Sequence, residues 1–510
     1  MWKIERKEKR PGSIWNPVNL QKEVHAFGYN FYWKTYFLTI LCMLSLIIAV
    51  SVFFQLQVKY IFIVIAASFG LLPVLIMNMY KRMYEQKRFS DIVDYMEQIL
   101  YSFEKEHKIL KALKECKDAL PDGRMKQAVN DAISYIESGG KKGEENLYGE
   151  ALGIIEKRYF CSRLHMVHEL LISAEERGGE MEKSANLMIE DIEVWKRQVY
   201  GLQKNKKAYH MDCVLSIIMA AFVCGLDMYI MNSVKDMTYT GEDVSIFGIT
   251  AVQITSFIFM LLCLVTFYKS SKKLAEDWME QIGKSKKMLK SSYEYVMGYD
   301  EGKERRKSLL FAIPLFFATI ICYLKISKIF GTVFFVAGCF VILQHKFSYS
   351  MSKKEVEKAL YKMFSSWMMD MALLLQTNNV QVSIAKSISR SGDILQEELN
   401  MLLKRITDNP EDVKAYLKFC EKFNIPEITT CMKMLYSISV SGTGNGGEQI
   451  TNLIGHVHKM QEKEAELQNE DISFKMHMIC AYPVVGTSGK LLVDMLMGTL
   501  LIFQLFQKAM

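Results

Sequence analysis

Between Phe37 and Phe54, and again between Tyr60 and Tyr80, the chain carries no charged residue. Each stretch is long enough to cross a hydrocarbon core of about 30 Å as a helix. Cys213–Met231 is apolar apart from Asp227, and Val244–Tyr268 is uncharged, which gives a second membrane hairpin. Leu309–Leu324 and Ile329–Leu343 give a third whose arms are slightly short, with Lys325 and Lys328 able to snorkel to the interface. The last apolar region, Met476–Phe506, is too long for one upright helix and is expected to be broken by "GTSGK". It is compatible with one tilted span or with a short interfacial piece followed by Leu491–Phe506. About seven transmembrane helices are expected.

Half of the residues are apolar, yet 23% are charged, so aqueous segments must alternate with these spans. In residues 81–209 Phe89, Ile92, Val93, Met96, Ile99, Leu100 and Phe103 recur at helical spacing. Ile109, Leu110, Ala112, Leu113 and Cys116 form a second stripe, closed by "PDG" at 121–123, and Leu164, Val167, Leu170 and Leu171 a third. No alternating strand pattern competes. Residues 346–475 repeat the character, with Trp367, Met371 and Leu374 on one stripe and Val382, Ala385 and Ile388 on another. The fold class expected is an all-α membrane protein with two homologous cytoplasmic helical-bundle domains.

The organisation predicted runs as an N-terminal segment (1–35), hairpin 1 (36–80), helical domain 1 (81–209), hairpin 2 (211–268), a basic linker (269–308), hairpin 3 (309–345), helical domain 2 (346–475) and a C-terminal span (476–510). Lysine and arginine set the orientation. "KRMYEQKR" follows the second apolar stretch, and residues 269–308 hold eleven Lys or Arg against seven Asp or Glu. The N-terminus, both domains and the linker are therefore expected in the cytoplasm, with 232–243 outside. The net charge of +7 fits this topology better than a nucleic-acid footprint. Eleven cysteines without a CxxC argue against a disulfide framework and a structural zinc site.

One stretch is written twice. Residues 172–188, "ISAEERGGEMEKSANLM", lie over residues 438–454, "ISVSGTGNGGEQITNLI", without a gap and at an offset of 266 (Ile438 against Ile172). Gly178 meets Gly444, Glu182 meets Glu448 and Asn186 meets Asn452. So long a period suggests a whole domain duplicated within one chain. In each copy Gly178-Gly179 or Gly444–Gly447 is placed to close one helix and reverse the chain. Glu182 and Glu448 then open the next helix, where its dipole favours negative charge. "GTGNGG" at 442–447 fits GxGxxG but lacks the strand a dinucleotide site needs.

These residues resemble the type II secretion F-domain family, the inner-membrane platform proteins of secretion systems and type IV pili, and the layout is most similar to platform proteins of Tad/Flp-type pili. "LLLQTNNVQVSIAKSI" (373–388) resembles the family's first helical turn, with Asn378-Asn379 in place of glycine and still able to take a left-handed turn. Single-domain members are usual, so this chain looks like two fused. The resemblance implies a non-enzymatic scaffold in the inner membrane that couples a cytoplasmic ATPase to the assembly of pilin-like subunits, with the lipid bilayer, a second copy or a second platform subunit as further partners. The alternative is a secondary transporter with duplicated halves.

No hydrolase elbow, phosphate loop or HExxH occurs, so no catalytic, cofactor or metal residue is expected. His165, His168 and Glu169 are close on a helix but lack a further ligand, and His456 and His458 point to different faces. Asp227, Lys490 and Asp494 stand inside apolar runs and either face protein, with Lys490 and Asp494 paired at i, i+4, or are wet at the interface. Lys196, Arg197, Lys204, Lys206 and Lys207 form a basic run next to the membrane, suited to anionic headgroups.

Overall fold

A computed structural model describes residues 15–139, 146–159, 161–177, 182–237, 246–275, 278, 286–325, 328–376, 378–409, 412–441 and 446–509. Among them there is no strand. The helices in chain order are α1 (Pro17–Ala26), α2 (Trp33–Phe53), α3 (Val58–Glu106), α4 (Ile109–Ala119), α5 (Arg124–Glu137), α6 (Leu147–Arg158), α7 (Ser162–Arg177), α8 (Glu182–Met237) and α9 (Thr250–Leu274), followed by α10 (Lys286–Met297), α11 (Glu301–Lys325), α12 (Lys328–Leu374), α13 (Val380–Ser387), α14 (Asp393–Asp408), α15 (Val413–Leu417), α16 (Pro426–Ser441) and α17 (Gly446–Ala509). Seven of them, α2, α3, α8, α9, α11, α12 and α17, are long and apolar enough to cross a membrane. The chain is a multi-pass all-α membrane protein.

By internal packing it divides into two units, residues 1–281 with 469–510, and residues 282–468. In the first, α3 continues past its apolar stretch without a break, so the residues that cross the bilayer and those that build an aqueous core belong to one rod. All seven residues of its expected stripe are buried, as are Ile109, Ala112, Leu113 and Cys116 of α4. His107, with φ of 52°, ends α3 in the left-handed region. At the other end of α3 the tight connection from α2 leaves backbone groups that no helix can satisfy. Gln253 of α9 supplies them: its Nε2 donates to the carbonyls of Gln55 (2.8 Å) and Phe247 (2.6 Å), and its Oε1 accepts from the Gln57 N–H at 2.8 Å. A buried amide so fully used is the expected response where water cannot serve.

In the second unit α12 is likewise a continuous rod, and Trp367 and Met371 are buried as expected. The stripe on α13 is different. Val382 is exposed, and the buried residues are Val380, Ser383, Ile384 and Ser387. The reason is polar: the Trp367 indole N–H donates to Ser387 Oγ at 2.8 Å, which turns the serine face inward. Asn379 does not make a left-handed turn either. Its backbone is extended (φ −73°, ψ 167°), and its side chain caps α13 by accepting from the Val382 N–H at 2.9 Å. The expected linker is not a mere linker, because its residues 286–297 form α10. Tyr293 on α10 donates to Glu398 Oε1 at 2.7 Å and is buried, and Tyr299 stacks on Tyr349 with ring centroids 4.0 Å apart.

Two expectations about the C-terminal region are corrected. "GTSGK" does not interrupt the helix, for α17 runs through it as a single rod. Gly486 serves close packing instead: a Cβ there would come within 3.0 Å of Leu262 Cδ1 and 3.4 Å of Phe259 Cδ2 on α9. The cysteines, expected to stay free, include one joined pair, Cys213 of α8 with Cys480 of α17, whose Cα atoms are 4.8 Å apart. They are separated by 267 residues, so no local spacing announces them.

Gly486→Leu should force α9 away from α17 and lower stability by about 1–3 kcal/mol, the usual cost of overpacking, read by thermal melting of the full chain in detergent. Cleavage at a protease site introduced within residues 279–285 should leave two fragments joined on a non-reducing gel and separated by reductant. With Cys480→Ser they should separate without it.

Candidate functional site

Helices α8 and α17, which begin at the two copies of the repeated stretch, lie side by side and parallel in the first unit from residue 469 onward. Asn205 Nδ2 donates to Asn469 Oδ1 at 2.9 Å, with 264 residues between them. The rings of Tyr209 and His477 meet edge to face at 5.6 Å. Cys213 is joined to Cys480, and Ser216 Oγ donates to the carbonyl of Cys480 at 2.9 Å. Farther along, Cys224 Sγ donates to Thr487 Oγ1 at 3.8 Å, across a separation of 263. These separations bracket the 266-residue offset of the sequence repeat. At three levels like meets like: asparagine with asparagine, cysteine with cysteine, aspartate with aspartate. The asparagine pair is 264 residues apart and the cysteine pair 267, so like residues meet close to the repeat offset but not at it.

The aspartates are Asp227 and Asp494, which the register of the two rods, just beyond the Cys224–Thr487 contact, brings to the same level of the seam. Asp494 also accepts from Lys490 Nζ through its Oδ2. Lys490 and Asp494 are fully enclosed, at 1% and 0% exposure, and Asp227 is 7% exposed. The reading of Lys490 and Asp494 as wet residues at an interface is therefore replaced by one in which both face protein. The Lys490 ammonium lies 5.8 Å from the centroid of the Phe54 ring, at the end of α2. Asp227 Oδ2 and Asp494 Oδ1 have no hydrogen-bond partner although both are buried. The cluster thus holds two carboxyl groups and one ammonium within helices long and apolar enough to cross a membrane. Sequence inspection marks all three as costly residues, but not that they converge. The same-residue pairing along α8 and α17 is the signal that finds it.

α7 ends at Arg177 and α8 begins at Glu182, while α16 ends at Ser441 and α17 begins at Gly446, so most of the reversal expected in each repeated stretch falls on residues outside the described ones, and Gly446 and Gly447, expected within it, open α17 instead. Gly178, Gly179 and Gly444 themselves lie outside the described residues. Gly447 and Glu448 fall in the first turn of α17, and Glu182 opens α8. Asn186 and Asn452 are both exposed.

The basic run on α8 is not one uniform surface. Lys196 pairs with Glu97 of α3 at 3.0 Å, and Lys206 is buried at 2% exposure. Arg197, Lys204 and Lys207 remain exposed. The face bearing Asn205 and Lys206 turns toward protein, so only part of the run is free to meet headgroups.

His168 belongs to a buried chain of hydrogen bonds rather than to a metal centre. Its Nδ1 contacts Glu156 Oε1 at 2.7 Å and its Nε2 contacts the Tyr95 hydroxyl at 3.0 Å. His165 reaches the same carboxylate at 3.1 Å. Among the described residues no group of three or more metal-ligating side chains is assembled. Burial pushes the His168 imidazole down from its ordinary value, so near neutrality it donates through Nδ1 and accepts the tyrosine proton at Nε2. Burial would raise Glu156, but the hydrogen bonds from His165 and His168 outweigh it and hold the carboxyl at about 2.

No family model, no curated protein and no solved structure matches the chain.

Tyr95→Phe should strand the His168 Nε2 and cost about 1–3 kcal/mol, the penalty for one unsatisfied buried group. Both His168 and Glu156 bind protons less readily folded than unfolded, so acid favours the unfolded chain. Stability from His168 is complete above its ordinary value of 6.5 and falls as pH drops toward its depressed folded value. That from Glu156 follows below 4.5, down to about 2. Melting temperature against pH should therefore begin to fall below 6.5 in the native chain and only at lower pH in His168→Gln.

Proposed function

We propose that the chain is an inner-membrane platform protein of a type II secretion or Tad/Flp-like type IV pilus assembly machine, a scaffold rather than an enzyme. The observation that carries this reading is the pair of rods that start at the repeated stretches. α8 and α17 run unbroken from the resembling motif into the membrane over 56 and 64 residues. At about 1.5 Å per residue these are rods of roughly 80–95 Å. A displacement imposed at the aqueous end of such a rod is delivered to the bilayer, which a device powered by a separate ATPase needs. The order of helices supports duplication: α3 to α8 and α12 to α17 are each a membrane rod, four shorter helices and a second membrane rod. In this reading residues 81–209 and 346–475 are homologous cytoplasmic domains that grip the ATPase, the N-terminus is cytoplasmic, and the spans gather pilin-like subunits in the bilayer.

A second reading, a secondary transporter, is favoured by one observation, the charged cluster where the two rods meet. Transporters, however, place such sites where helices are broken. α17 is continuous through Lys490 and Asp494, and α8 through Asp227.

Crosslinking of the full-length chain in its native membrane, followed by mass spectrometry, should recover an ATPase with a phosphate-binding loop and prepilin-like subunits. Recovery of neither, together with solute uptake by proteoliposomes containing only this chain, would replace the platform reading with the transporter one.

A further inference from the structure

We infer that Asp227 and Asp494 form an intramembrane proton-binding site on the seam between α8 and α17, in which the two carboxyl groups share one proton beside the Lys490 ammonium. The inference rests on the membrane placement of these helices and not on the platform reading.

The geometry leaves little choice of chemistry. Two buried carboxyl groups at one level of the seam can bond to one another only if one of them carries a proton, because two carboxylates offer acceptors only. With both ionised and Lys490 charged, the cluster would carry one uncompensated negative charge within apolar helices, where an unpaired buried charge is strongly disfavoured. One bound proton makes it neutral: Lys490 is balanced by ionised Asp494, and protonated Asp227 donates to Asp494. The Oδ2 of Asp227 and the Oδ1 of Asp494 are buried with no donor from the protein to satisfy them, a deficit that a bound proton would relieve. The groups facing the pair are few. α8 brings Asp227 and the Cys224 thiol, α17 brings Lys490, Asp494 and the Thr487 hydroxyl, and the end of α2 brings the Phe54 ring. Cys224 is the thiol that interacts with the cluster, with Cys263 of α9 beside it in turn, and is therefore the group in need of a control.

Two properties follow. A protonated carboxylic acid within a bilayer is the preferred target of an apolar carbodiimide. Its O–H adds across one C=N bond, the oxygen bonding to carbon and the proton passing to nitrogen, and the acyl group then migrates to nitrogen with nothing released. The site should also make the seam sensitive to pH. Stability is full while the proton is bound and falls as pH rises and the proton leaves, because the excess charge is then exposed to hydrocarbon.

The test uses the full-length chain in liposomes. Dicyclohexylcarbodiimide should label Asp227 or Asp494, as located by mass spectrometry, with a yield that declines as pH is raised. Infrared spectra should show a carboxylic-acid C=O band that disappears over the same range. Asp227→Asn keeps a donor to Asp494 but removes the shared proton, so label and band should both be lost and the alkaline loss of stability abolished, while Cys224→Ala leaves all three as in the native chain. A native chain with no carboxylic-acid band at any pH would overturn the proposal. So would an Asp227→Asn variant that retains the label, the band or the pH dependence.

Discussion

The seam between α8 and α17 is the contact on which the arrangement of the first unit depends. Lipid offers no hydrophobic drive to bring two apolar helices together, so association must come from close packing and from polar groups that satisfy one another. This seam uses both. Asn205 finds Asn469, Ser216 finds the backbone of Cys480, and Cys224 finds Thr487. On the neighbouring face of α17, Gly486 gives α9 room to approach, while Gln253 ties α9 to the connection between α2 and α3. Each polar group is costly alone in hydrocarbon and inexpensive when paired, which selects one register of the two rods over all others.

The rods also explain how one chain joins two environments. α3, α8, α12 and α17 each combine an apolar stretch with an amphipathic one and no break between them. A linker at the bilayer surface would expose backbone groups and absorb motion. A continuous helix satisfies its own backbone throughout and holds the aqueous helices at a fixed rotation relative to the membrane. The buried stripe of α3, from Phe89 to Phe103, lies on the same rod as Val64 and Leu72.

Much of this was legible before any coordinates. Charge-free stretches located the seven long apolar helices, and helical periodicity identified the buried faces of α3 and α4, because both signals are local and large. The failures share a cause. "GTSGK" reads as a break because glycine is intrinsically a poor helix former, yet Gly486 is retained for the proximity of Leu262, which only the tertiary structure reveals. Val382 reads as core, but Ser387 is turned inward by the Trp367 indole 20 residues away. Cys213 and Cys480 read as small apolar residues until helix packing brings them together. Asp227, Lys490 and Asp494 stood out individually, and what the sequence withheld was their meeting.

The composition of that meeting bears on why two copies would be kept in one chain. On an axis relating two identical chains every residue appears twice, so charges come in even numbers. Cys213 with Cys480 and Asp227 with Asp494 obey this rule, both at a separation of 267 residues. Lys490 does not: at the same separation of 267 the residue on α8 is Val223, and at the 266-residue offset of the repeated stretch it is Cys224, neither of them a cation. A strict two-fold pair would hold either two carboxyl groups without a cation or two carboxyl groups with two ammonium groups, and the second arrangement is neutral with no proton to bind. One lysine beside two aspartates is an odd set that identical subunits cannot make. Within one chain each rod is free to differ from the other, and a single ammonium beside two acids gives a site whose charge balance depends on one proton.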